Sequence, residues 1–89
     1  MKLCEGFRLR PLGRDYIVTP ESVERINFNR MISLNSSAAY LWQSVEGKDF
    51  TVEDLRDLLL EKYDVDAEVA ASDAERIART WIEAGIAEE

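Results

Sequence analysis

The chain has no histidine and a single cysteine, Cys4, among its 89 residues. Without histidine there is no imidazole to act as a general base near neutral pH, no His-based catalytic triad and no His-ligated zinc. A lone cysteine cannot close an internal disulfide, which fits a reducing cytoplasm. The four glycines, at positions 6, 13, 47 and 85, are isolated from one another, so there is no glycine-rich phosphate loop. No apolar run approaches the ~20 residues needed to cross a bilayer. The N-terminal stretch 1–8 lacks the apolar core of a signal peptide. The expectation is one cytoplasmic domain over residues 1–89 with no membrane partner. At 46% hydrophobic and 33% charged residues, it has the composition of a globular protein.

Positive charge is also scarce. Eleven Lys and Arg stand against eighteen Asp and Glu, for a net charge of −7. Residues 1–34 carry six basic and four acidic residues, hence +2; residues 35–89 carry five and fourteen, hence −9. Binding to a nucleic acid backbone rests on Lys and Arg neutralising phosphates, so the helical part of the chain opposes a nucleic-acid partner.

What is present is organised around the stretch Met31–Trp42. Met31, Ile32 and Leu34 favour a strand. Asn35 suits a helix N-cap, because its side-chain oxygen can accept from a free N–H of the first turn. Ala38, Ala39, Leu41, Trp42 and Val45 then recur at helical spacing until Gly47. Everything before this junction reads as strand and everything after it as helix. Phe7-Arg8-Leu9-Arg10 alternates with the period of a half-buried strand, a turn falls at Pro11–Asp15, and Tyr16–Thr19 forms a second strand that Pro20 ends. Arg25–Phe28 alternates again, and 25–34 reads equally as one bulged strand or as two. In the second helix Thr51 and Asp54 form a capping box, and Val52, Leu55, Leu58, Leu59 and Tyr63 form the apolar face. The third helix runs from about Ala67 to Ala84, starting after Asp66, with Ala70, Ala74, Ile77, Trp81 and Ala84 in one stripe widened by Ala78 and Ile82. Gly85 follows as the C-terminal glycine. The predicted class is α+β: a small N-terminal antiparallel sheet of three or four short strands followed by three helices, like a winged helix-turn-helix.

Few residues suggest chemistry. Trp42 and Trp81 read as core rather than as a binding surface. Asp64, Asp66 and Glu68 lack the glycine and later bidentate acid of a calcium loop and suit the start of a helix instead. Glu53, Asp54 and Asp57 read as a solvated helix face rather than an acid–base pair. Arg76 and Arg79 either offset neighbouring acids or meet an anionic partner. No cofactor or metal is expected, and no enzyme activity.

The motifs Leu34-Asn35-Ser36-Ser37-Ala38-Ala39-Tyr40-Leu41-Trp42, Tyr63-Asp64-Val65-Asp66 and Glu83-Ala84-Gly85-Ile86 resemble those of the PqqD family. So do Phe7–Arg10, Asp15–Val18 and Thr51–Leu55, and the likeness spans nearly the whole chain. The family comprises small proteins of pyrroloquinoline quinone synthesis and related peptide-modification pathways. The resemblance implies a non-catalytic peptide chaperone. It would bind the leader of a ribosomally made precursor peptide and deliver it to a modifying enzyme, commonly a radical S-adenosylmethionine enzyme that carries its own cofactors. Strand addition supplies the mechanism: an edge strand leaves unpaired N–H and C=O groups that a guest can use. By position Asn29, Arg30, Met31, Ile32 and Ser33 would offer that edge, and Asp73, Arg76, Ile77 and Thr80 the opposite wall, with Arg76 favouring an acidic leader residue. An open edge allows a monomer or a strand-exchanged dimer. The alternative is a winged-helix DNA-binding regulator, which the acidic helices disfavour.

Overall fold

The structure, a computed structural model, describes residues 1–20 and 32–89. In chain order its elements are β1 (Lys2–Leu3), β2 (Phe7–Leu12), β3 (Asp15–Pro20), β4 (Ile32–Leu34), α1 (Ser36–Val45), α2 (Val52–Lys62), α3 (Ala67–Glu83) and β5 (Ala87–Glu88). The α+β class and the order of sheet before helices follow the sequence expectation. Residues 25–31, the first part of the stretch read as one bulged strand or two, lie outside the described residues.

β2 and β3 form an antiparallel hairpin paired from Phe7↔Pro20 to Leu12↔Asp15. The turn is tighter than the Pro11–Asp15 stretch expected, with Gly13 and Arg14 alone outside the pairing. Gly13 has φ of +63° and Arg14 no positive φ, the arrangement of a type II′ turn with glycine first, whose twist matches that of the flanking strands. β4 pairs antiparallel with β3 through Tyr16↔Leu34, Ile17↔Ser33 and Val18↔Ile32. This register puts Tyr16, Val18, Ile32 and Leu34 on one face, because side chains alternate along a strand. Val18 and Leu34 are buried there.

The helix boundaries are set by local chemistry. Asn35 Oδ1 accepts from Ala38 N at 2.9 Å. After α1, Glu46 (φ −60°, ψ 127°) and Gly47 (φ +78°) turn the chain, and Lys48 N donates to Val45 O at 3.0 Å; these are the angles of a type II turn. Both halves of the capping box form at α2: Asp54 N donates to Thr51 Oγ1 at 3.1 Å and Thr51 N to Asp54 Oδ2 at 2.9 Å. Asp66 occupies the N-cap of α3 but makes no side-chain capping bond. The third helix ends one residue earlier than expected, in a Schellman motif. Gly85, at φ +77°, donates to Ile82 O, and Ile86 N donates to Trp81 O, both at 3.0 Å, which satisfies carbonyls the helix end would leave free.

The apolar faces meet in one core. Trp42 and Trp81 are each 1% exposed, and their rings meet edge to face with centroids 5.4 Å apart. Burial of each indole is worth about 4–6 kcal/mol gross. Phe50, in the α1–α2 loop, stands edge-on to Trp81 at 6.3 Å, and its N–H donates 2.7 Å to Met1 O.

One expectation is overturned: the chain after Asn35 is not all helix. β5 pairs antiparallel with β1, Lys2 opposite Glu88 and Leu3 opposite Ala87, and Cys4 N donates to Ile86 O at 2.9 Å. A strand of two residues is too short to show a period, so its pairing is set by the meeting of the two ends of the chain rather than by its own sequence.

Candidate functional site

The three-stranded sheet has two edges, β2 and β4, and they differ chemically. β2 carries exposed Arg8 and Arg10 and contains Pro11, which has no N–H to offer. Charge and proline are the usual means of blunting an edge. β4 is Ile32-Ser33-Leu34, with neither. In an antiparallel strand alternate residues direct both N–H and C=O to the same side. One set of the β4 backbone groups therefore bonds β3 and the other points away from it. Among the described residues no strand pairs with that outer side.

Ile32 is half-buried and Ser33 exposed. Asn29, Arg30 and Met31 lie outside the described residues. On α3 the structure brings three of the four predicted residues into one surface chain. Arg76 Nη2 donates to Asp73 Oδ1 at 3.4 Å, and Thr80 Oγ1 donates to the Arg76 carbonyl at 2.8 Å. Ile77 belongs to the core instead. Among the described residues no hydrogen bond or ion pair joins Ile32 or Ser33 to these α3 side chains.

The electrostatics of the α3 face are loose. The Arg76 side chain is 69% exposed, and an exposed ion pair is worth under about 1 kcal/mol, so its guanidinium can leave Asp73 for another carboxylate at little cost. Arg79 pairs similarly with Glu75 at 2.9 Å. Sequence reasoning missed Val69, which is 47% exposed. Lying four residues before Asp73, it extends the Asp73–Arg76–Thr80 row toward the start of the helix. The available signal was an apolar residue out of step with the 70-74-77-81 stripe.

A cleft of about 780 Å³ lies elsewhere, between residues 2–7 and the α1–α2 turn, with Trp42 in its wall. Its lining mixes apolar residues with Lys2, Glu5, Glu46, Lys48, Asp49 and Glu88. Among the described residues no group of three or more His, Cys, Asp or Glu is arranged to hold a metal ion, and no helix is long and apolar enough to cross a membrane.

The family model described as Coenzyme PQQ synthesis protein D (PqqD) matches residues 16–87. No curated protein matches the chain. Among solved structures, one described as TbiB1 in complex with the TbiA(beta) leader peptide superposes with a TM-score of 0.70. The likeness covers 97% of this chain and 93% of that one at 16% identity, and at that identity it speaks for the fold.

Proposed function

The chain belongs to the PqqD family, and from there we propose that it is a non-catalytic recognition element for the leader segment of a ribosomally made precursor peptide. The leader adds as a strand to the outer side of β4. Its backbone takes up the N–H and C=O groups of β4 that point away from β3, which is independent of sequence. Its alternate side chains face α3, where Val69, Asp73, Arg76 and Thr80 select among leaders. Arg76, held only by an exposed pair, favours an acidic residue at the facing position. The bound leader is then presented to a modifying enzyme, a radical S-adenosylmethionine enzyme in this reading, and the chemistry belongs to that enzyme. The setting is cytoplasmic, and the chain works as a monomer or as a strand-exchanged dimer.

The observation that carries the proposal is the contrast between the two edges of the sheet: Ile32–Leu34 of β4 carry neither charge nor proline, whereas β2 carries Arg8, Arg10 and Pro11. The structurally similar TbiB1 is in complex with a leader peptide, which supports the same reading.

Amide hydrogen exchange tests it. Addition of the cognate leader is expected to slow exchange at Ser33 or at the Ile32/Leu34 pair, whichever set points outward, and to leave β2 unchanged. Proline at the protected position is expected to abolish binding while alanine there retains it. Leader binding with unchanged exchange throughout β4 would overturn strand addition at this edge.

A further inference from the structure

Among the described residues, the arginines of the helices differ from Arg10 and Arg14 of the hairpin. Arg56, Arg76 and Arg79 each hold a carboxylate, of Asp57, Asp73 and Glu75, at 3.1, 3.4 and 2.9 Å. On the hairpin the pattern changes. Arg10 Nε donates at 3.2 Å to the neutral hydroxyl of Thr19. Neither Arg10 nor Arg14 meets a carboxylate among the described residues, although the chain has eighteen acids. Residues 7–20 hold three arginines and one acid, Asp15, hence +2, which leaves −9 for the rest of the chain.

These charges share a face with apolar surface. By alternation Arg8, Arg10 and Leu12 point away from the core, opposite Thr19, Ile17 and Asp15 on β3. Leu12 is 57% exposed at the hairpin end, and Ile17 is half-exposed. Apolar area ringed by arginine rather than lysine is the composition that protein interfaces favour, because a planar guanidinium keeps its hydrogen-bonding geometry and is weakly hydrated.

We propose that this outer face of the hairpin docks an acidic surface of a second protein. Leu12 and Ile17 supply the apolar contact, and Arg10 and Arg14 take carboxylates. Charge complementarity is the ground for choosing that occupant. A local acidic patch meets the +2 hairpin alone, whereas an extended polyanion such as duplex DNA would also run past the −9 remainder of the chain. Ser33 lies on the same face, opposite Ile17. If the proposed strand addition at β4 holds, a consequence rests on that reading: the outward side chains of the guest would stand beside the docked protein.

The test does not depend on peptide capture at β4. The full chain, labelled with ¹⁵N, is titrated with hexaglutamate in low and high salt. Saturable amide shifts are expected at residues 10–17, fading at high salt. R10E/R14E is expected to weaken binding at least about tenfold with an unchanged circular dichroism spectrum, whereas R56E, on α2 outside both surfaces, leaves it unchanged. No shift at the hairpin, whatever happens at α3, would overturn the proposal. Tighter binding of a 20-base-pair DNA duplex to the same residues would overturn it in favour of nucleic acid. Hairpin shifts that grow with protein concentration alone would overturn it in favour of a second copy of the chain.

Discussion

Asn35 shows how much one side chain decides here. Its Oδ1 accepts from Ala38 N and also from Ser37 Oγ at 3.0 Å, so it closes the first turn of α1 immediately after β4 ends. Loss of such a cap costs about 0.5–2 kcal/mol, and aspartate caps about as well as asparagine. Asn35→Ala is expected to lower the unfolding free energy by that amount in urea denaturation, and Asn35→Asp to stay within a few tenths of a kcal/mol of the parent. Equal losses in both would mean that the capping bond is not what holds this junction. Caps were legible in the sequence because donor and acceptor lie three residues apart. Phe50 and Val69 were not. Nothing local distinguishes a loop phenylalanine buried on Trp81 from an exposed one, and Val69 is identified only by failing to face the core.

Among the elements, α3 serves both the core and the candidate site. One side buries Ala70, Ala74, Ile77, Ala78 and Trp81; the other carries Asp73, Arg76 and Thr80. The small alanines allow α2 and α3 to approach closely, and the largest residue of the face, Trp81, reaches across to Trp42 and Phe50. The helix must stop where it does so that Ile86, fully buried, can fold back beneath it. Gly85 makes that reversal at φ +77°, a conformation that costs an L-residue roughly 1–2 kcal/mol. Gly85→Ala is therefore expected to lose about that much stability, measured by thermal or urea unfolding, with little change in the affinity of β4 for a peptide. A neutral effect would show that the helix end relaxes freely.

At the scale of the whole molecule the ends of the chain are tied to each other. β1 and β5 pair, Lys2 Nζ lies 3.7 Å from Glu88 Oε1, and Met1 O accepts from Phe50. The ion pair is exposed and contributes little; the buried Ile86 and Ala87 contribute more. Deleting residues 86–89 is expected to cost at least the ~2–5 kcal/mol of a large-to-small change at a buried isoleucine, a large part of the ~5–15 kcal/mol that a small domain has in total. Broadened amide resonances at β1 and Trp42 and a lowered urea midpoint are the expected readouts. Unchanged spectra would show β5 to be an ornament of the fold. The acidic balance acts at this scale too: the −9 carried by residues 35–89 is expected to repel phosphate backbones.

Local pattern by itself determined the α+β class, the order of the elements from β2 to α3, the two side-chain caps, the glycine stops and the helix faces, because each depends on residues within one or two turns of one another. The PqqD family was readable for the same reason, its motifs being short and contiguous. The pairing of β1 with β5, the burial of Phe50, the placing of β2 and β4 at the two edges of the sheet, and the contrast between the helix arginines and Arg10 and Arg14 of the hairpin were decided only by the tertiary structure. Each of these is a relation between residues far apart along the chain, and it comes into being only when the two ends and the two layers are brought together.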